Sequence, residues 1–489
     1  MTITSTTPTI AEPGGRTTRR AWLALIFLSL AQLMVVLDGT IVNLALPRIQ
    51  EDMGISDSER SWAVTAYALA FGALLLLGGR IADFWGRKRT FIVAAVGFAL
   101  ASLMGGLADV PMMLFAARAL QGVFAALLAP AALSLLTVAF PGGKDRGTAF
   151  AIFGSLTGVG AAIGVILGGY LTDYVSWHWC FFVNIPIAIV ALVGVHLFAR
   201  ESKAEGSATY DWPGVVLAAL GLAALVFGFT NAEHGWNAPE AWVFIVAGLI
   251  LMVLFVLVER RVKHPLLPLR VATERNRAAA FLASFLSGAV LIGGILFINY
   301  YLQIVLGMAA FPAGLAALPM TIMLIITAAI VAKNLPRLGA KIPMAVGPVF
   351  IAAAMLWLSG VTAEGTYLVT VFPALILMGV GLAMTFVPMQ NLALFGVDRN
   401  DAGVASALVN ASQQIGGSLG VALFSTLAAS ATAAAAGGAL LESLSAGYST
   451  VFVWAAVVAI LITPIALLLI RIDRRTFSGT GGDAPVHLG

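Results

Sequence analysis

The sequence predicts an all-α membrane protein with fourteen transmembrane helices, and three features carry that prediction. The 489 residues are 60% apolar and only 10% charged, against roughly 25% charged in soluble domains, and the mean hydropathy is +0.98. The apolar residues gather into fourteen stretches close to the about 20 residues that a bilayer core asks of a helix. Of the 27 Lys and Arg, all but Arg48 and Arg60, expected in outer loops, and Arg118, within span four, fall in the two tails and in every second connection, the asymmetry of the positive-inside rule. That rule places both termini in the cytoplasm of a plasma-membrane protein. The net charge of +4 reports this one-sided bias, so no nucleic-acid partner is expected. The single cysteine, Cys180, excludes an intramolecular disulfide.

The elements follow in order. Span one, 22–46, comes after Arg16, Arg19 and Arg20; it is too long for a signal-peptide core and lacks a small-residue cleavage site, so it is expected to stay. Spans two and three, 61–79 and 90–108, flank the polar loop GGRIADFWGRK, and spans four and five, 111–138 and 147–171, flank Lys144 and Arg146. Span six, 179–199, ends at Arg200. Spans seven and eight, 212–231 and 241–258, are framed by ESKAEGSATYD and ERRVKHPLLPLR. Spans nine to fourteen are read at 278–305, 313–332, 343–361, 367–395, 402–429 and 448–470, and Arg471, Arg474 and Arg475 close the last one. Trp62, Trp177, Trp179, Trp236 and Trp242 lie at span ends and read as interfacial belt anchors.

The expected organisation is six spans, two and six. A cytoplasmic tail of 1–20 precedes a six-helix bundle over 21–205; a two-helix insert with its flanking loops occupies 206–275; a second six-helix bundle covers 276–475, and 476–489 is a second cytoplasmic tail. A degraded internal repeat supports the two bundles. Trp85-Gly86-Arg87-Lys88 after span two is echoed by Leu338-Gly339-Ala340-Lys341 after span ten. Repeats of this kind place a substrate cavity between the halves near the bilayer midplane.

Asp38 and Arg118 are the formal charges inside the predicted spans. An ionised group at bilayer depth costs about 2.5 to 3.5 kcal/mol on insertion scales, so such a residue marks function by default. Asp38 lies eight residues inside Leu46 and Arg118 seven inside Pro111, about 12 Å and about 10 Å at helical rise, so the two stand at similar depth. They form either a permanent ion pair that holds two helices together or a centre that changes charge by one proton.

The loop Gly79-x3-Asp83-x2-Gly86-Arg87-Lys88 resembles the best-known motif of the major facilitator superfamily. Its neighbours narrow the resemblance. Leu37-Asp38-Gly39-Thr40-Ile41-Val42-Asn43-x3-Pro47, Arg118-x2-Gln121-Gly122, the span-five glycines, Trp177-x-Trp179-x4-Asn184-x-Pro186 and Gly403-x8-Ser412-x3-Gly416-Gly417 together resemble the fourteen-span drug:proton antiporter family. That resemblance covers residues 20–475. It implies two major facilitator bundles, proton coupling at Asp38 with Arg118, and antiporter-helix glycines at Gly160, Gly164, Gly168 and Gly169. It also implies that Gly79, Asp83, Gly86, Arg87 and Lys88 latch the outward-open state. Some positions depart from the pattern: Val165 replaces a usual proline, Ala151 a glycine, and Phe84, Phe124 and His178 stand where a basic residue, glycine and arginine are common.

Candidate cavity groups are the polar residues within apolar spans, which need partners or water: Asn43, Gln121, Asn184, Asn299, Tyr300, Tyr301, Gln303, Gln390, Asn391, Asn410, Gln413 and Gln414. About half are expected to bond helix to helix. No Cys/His metal spacing and no phosphate-binding Gly-rich loop with Lys-Ser/Thr occur. No nucleophile, base and acid cluster at one depth. No enzyme, metal or cofactor is therefore expected. The expectation is a monomeric exporter of small apolar, amphipathic or monovalent cationic compounds, driven by the proton gradient, with small-molecule substrate, protons and bilayer lipid as partners. An importer of a metabolite and a non-transporting receptor are the alternatives.

Overall fold

The computed structural model describes residues 19–141, 143–203, 211–232, 239–262, 265–267, 269–397, 402–435 and 439–471. The tail calls at 1–20 and 476–489, and the calls on Trp236 and Gly403, lie in part or wholly outside them. Among the described residues, fourteen helices are long and apolar enough to cross a membrane. They are α1 (Arg19–Met53), α2 (Asp57–Trp85), α3 (Arg87–Gly106), α4 (Pro111–Ala139), α5 (Gly143–Tyr174), α6 (Trp179–Phe198), α7 (Trp212–Asn231) and α8 (Pro239–Glu259). After the single turn Leu269–Ala272 come α9 (Arg275–Val305), α10 (Ala310–Leu338), α11 (Lys341–Leu358), α12 (Tyr367–Leu394), α13 (Ala402–Ala434) and α14 (Leu440–Leu469).

Local chemistry fixes several boundaries. Ser56 and Glu59 form a reciprocal capping box at the start of α2, and Glu274 caps α9 by accepting from the amides of Asn276 and Arg277, each satisfying donors that a helix start leaves free. Gly86 ends α2 at φ 127° and Gly339 ends α10 at φ 69°. Both are positive-φ positions that favour glycine, so the faint sequence echo between the two loops is also a backbone echo. Outside the helix contacts the chain turns large apolar residues such as Leu100, Met112, Leu249 and Leu368 outward, while Ala and Gly dominate where helices meet, as close packing in lipid requires.

Packing repeats with an offset of eight helices. In the first six, α1 packs on α5, α2 on α4 and α3 on α6; in the last six, α9 packs on α13, α10 on α12 and α11 on α14. The two groups meet along α2 with α13 and along α5 with α10; α7 rests on α2 and α13, and α8 packs on α7. The even number of helices returns the chain to the end where it started. This end carries Arg19, Arg87, Lys88, Arg275 and Lys341 and is called the basic end; the opposite one is the far end.

Two expectations need correction. Trp177 is not a belt anchor: it is 2% exposed, stacks on His178 and donates its indole N–H to Asp52 at 2.9 Å. Arg60 is not a loop residue, since α2 begins before it and buries it. Asp211 and Glu259, at the ends of α7 and α8, are buried as well, so Asp38 and Arg118 are not the only charges withdrawn from solvent.

Candidate functional site: a buried carboxylate and guanidinium network

Asp38, on α1, and Arg118, on α4, are 0% and 1% exposed. Arg118 Nη1 donates to Asp38 Oδ2 at 2.6 Å and to Gln121 Oε1 at 2.9 Å, and its Nε donates to the Ala63 carbonyl of α2 at 2.8 Å. The guanidinium lies over the Tyr67 ring, 4.5 Å from its centroid. The other carboxylate oxygen, Oδ1, accepts from the side-chain amides of Gln121 and Asn184, each at 2.8 Å. Ser102 Oγ of α3 accepts from the same two amides. Thus α4 and α6 bond the carboxylate of α1 directly, and α2 and α3 hold the groups that do so. Charge-assisted bonds of this kind are about twice as strong as neutral ones, and removing one partner of a buried pair costs about 3–5 kcal/mol.

Small residues make the approach possible. The amide of Gln121 sits beside Gly122, where a Cβ would stand 2.4 Å from the Tyr67 carbonyl. On the other side of α1, Gly164 of α5 leaves room for Thr40: a Cβ there would lie 1.9 Å from Thr40 Oγ1. Gly160 and Gly168 continue this face against Val36 and Ile41, whereas Gly169 faces Ala310 and Phe311 of α10, in the other group. The α5 helix runs without an internal proline, in keeping with Val165.

Other candidates gather at the far end, where the two groups are joined. Pro47 lies inside α1 and has no N–H, which leaves the Asn43 carbonyl one turn earlier without its helical donor. Asn299 Nδ2 of α9 donates to that carbonyl at 2.5 Å, and Gln303 Nε2 donates to the Leu44 carbonyl at 3.1 Å and to Asn299 Oδ1 at 2.9 Å. The Asn43 side chain itself turns back to Gly39. Arg60 stands over the Tyr300 ring at 3.6 Å, and Asp173 of α5 accepts from the Ala310 and Phe311 amides at 3.0 and 2.6 Å, capping the start of α10. Tyr301 stays within the last six helices, donating to the Thr362 carbonyl.

At the basic end, Asp83 accepts from Arg87 Nε and Nη2 at 3.0 and 2.8 Å. Lys88 Nζ donates to the His196 and Ala199 carbonyls at the end of α6, the favoured place for a cation, and Glu201 accepts from the amides of Lys88 and Arg89. Gly79 packs near Pro130. The remaining candidates do not join the Asp38 network: Asn391 and Asn410 are exposed and bond the carbonyls one turn back, while Gln390, Gln413 and Gln414 are partly buried along α12 and α13. Sequence reasoning missed Ser102 and Tyr67. A lone serine in an apolar span gives no distinctive signal, and Tyr67 was passed over although Tyr300 and Tyr301 were chosen on the same ground.

The arrangement is that of a membrane carrier with an ionisable centre in one helical group. The chain belongs to the Major Facilitator Superfamily, whose profile matches residues 28–421. A puromycin resistance protein from Streptomyces alboniger is 44% identical over 467 residues, covering 94% of this chain and 92% of the relative. The cephamycin export protein of Amycolatopsis lactamdurans is 35% identical, covering 97% and 98%. In fold the chain also resembles a solved auto-inhibited POT family peptide transporter, with a TM-score of 0.66, 15% identity, and coverage of 93% and 98%. Its relatives are antibiotic and drug exporters, and it is a multi-pass membrane transporter rather than an enzyme.

Proposed function

We propose that this protein is a proton-coupled antiporter that exports small apolar, amphipathic or monovalent cationic compounds, antibiotics among them, by alternating access. The observation that carries the reading is the placement of Asp38. It is fully buried, bonded from α4 and α6, and sits on the same helix as Asn43 and Leu44, whose carbonyls receive Asn299 and Gln303. A proton taken up by Asp38 removes the charge that Arg118 pairs with, and α1 carries that change five residues along to the closure between the groups. In this reading the basic end is cytoplasmic, and the far-end contacts describe an inward-facing state. The Asp83 loop, occupied by Arg87, is then the latch of the opposite state, engaged when the far end opens. Gly160, Gly164, Gly168 and Gly169 form the surface along which α5 slides.

The energetics suffice. One inward proton contributes about 1.4 kcal/mol per pH unit and about 2.3 kcal/mol per 100 mV. Holding a hundredfold gradient costs about 2.7 kcal/mol. Ethidium or antibiotic efflux from proteoliposomes, with and without an imposed pH gradient, tests the proposal. Export that accelerates with the gradient supports it. Uptake in the opposite direction, or no flux, replaces it with an importer or a receptor.

A further inference from the structure

We propose that Asp211 and Glu259 form a second protonation site, a carboxylate pair that holds one proton between its two members at the foot of α7 and α8. Asp211 caps the start of α7, its Oδ1 accepting from the Gly214 amide at 2.9 Å. Glu259 ends α8, and its Oε2 accepts from the Leu267 amide at 3.0 Å. Each residue is only 3% exposed. The two remaining oxygens, Asp211 Oδ2 and Glu259 Oε1, are buried and have no hydrogen-bond donor among the described residues.

Those two oxygens converge on one place. A Cβ built on Gly214 would lie 2.5 Å from Asp211 Oδ2 and 2.8 Å from Glu259 Oε1, so the carboxylates close over a spot that only glycine leaves empty. An ionised carboxylate accepts and cannot donate. Two of them facing each other in burial repel, and one such pair keeps a proton that separated acids would release. A single proton makes one acid a donor to the other and satisfies both free oxygens at once.

The surroundings supply no competing counter-ion among the described residues. On α2, Arg80 donates to the Pro265 carbonyl, and Asp83 is taken by Arg87. Neither α7 nor α13 carries a charged residue, and Arg260 and Arg261 are exposed. Lys263 and His264 lie outside the described residues. Because Glu259 holds Leu267, and Leu267 leads into α9, the charge state of the pair governs how firmly the two middle helices grip the connection to the last six.

The inference is independent of transport and of Asp38. Infrared difference titration of the purified full-length protein carrying Asp38→Asn, which removes the buried carboxyl of the Arg118 network, reads it directly: a protonated-carboxyl C=O stretch that is lost on going from mildly acid to alkaline pH with the pair intact, and is missing when either Glu259→Gln or Asp211→Asn is added. Glu259→Gln supplies a permanent donor in nearly the same shape, so it folds. The shared proton stabilises the fold below the pair's titration point and that stability is lost as pH rises through it, so the wild-type melting temperature falls on alkalinisation while that of Glu259→Gln stays level. A band that persists in both variants, or parallel melting profiles, overturns the proposal. Alkaline stability restored by sodium or potassium also overturns it, by making the occupant a metal cation.

Discussion

Pro47 withholds an N–H from the Asn43 carbonyl of its own helix, and Asn299, on the other side of the molecule, occupies that carbonyl at 2.5 Å. A residue that weakens one helix thus creates the acceptor that joins two groups of helices. Each such bond contributes about 1 kcal/mol net. Asn299→Ala combined with Gln303→Ala should therefore favour the opened far end by about 2 kcal/mol, roughly thirtyfold in population. Spin-label distances across the far end check this, with Cys180 replaced so that labels attach only where intended; an unchanged distance distribution would show that the closure rests on apolar packing alone.

Asp38→Asn should abolish gradient-driven efflux. Arg118 keeps its bonds to Ala63 and Gln121, so the protein still inserts, with a lower melting temperature because a buried guanidinium has lost its anion. Substrate counterflow without a proton gradient should persist. Efflux that still responds to the gradient in this variant would move the coupling site elsewhere.

Arg118→Ala separates the two roles of the pair. Without the guanidinium Asp38 loses the cation it pairs with, so the pH dependence of transport should change. Loss of folded protein with no movement of the profile among surviving molecules would make the pair structural. Folded yield and pH profile measured on one preparation distinguish these outcomes.

At Gly164 an added methyl group would meet Thr40 Oγ1 at 1.9 Å, whereas nothing lies within 4 Å of a Cβ at Gly154 on the same helix. Gly164→Ala should push α5 away from α1 and cost about 1–3 kcal/mol, with slowed transport, while Gly154→Ala changes little. Thermal melting and transport of the two variants side by side provide the comparison, and equal effects would mean that helix propensity rather than close approach governs this face.

Substrate charge gives a further test. Helices α9 to α13 carry no acid, and Glu442 lies in the first turn of α14, so a dication would meet a single committed carboxylate, and unpaired charge in low dielectric is costly. A monovalent dye should be exported faster than a divalent analogue of similar size. Equal rates would implicate another acid, with Glu51 or Asp52 of α1 the first to substitute.

Helix number and the pairing of Asp38 with Arg118 were legible because apolar length and isolated charge survive in a bare sequence. Gln121 and Asn184 were legible as polar residues but not as ligands of Asp38, since their convergence depends on how α4 and α6 are rotated. Arg60 was misplaced because hydropathy counts a charge against a span; over the Tyr300 ring, with Gln50 accepting from it, that charge is accommodated. Asp211 and Glu259 were passed over for the same reason, as polar ends of apolar runs. Nothing local reveals that two helix ends meet.

The packing of α1 to α6 returns in α9 to α14, yet the ionic network at Asp38 belongs to the first set alone. In the proposed reading, one half of a near-duplicate scaffold is the engine, and the other is free to be a glove. Substitutions in the later helices leave the bonds around Asp38 untouched. On that reading, a carrier takes on new compounds by altering one set of walls while its motor stays as it was.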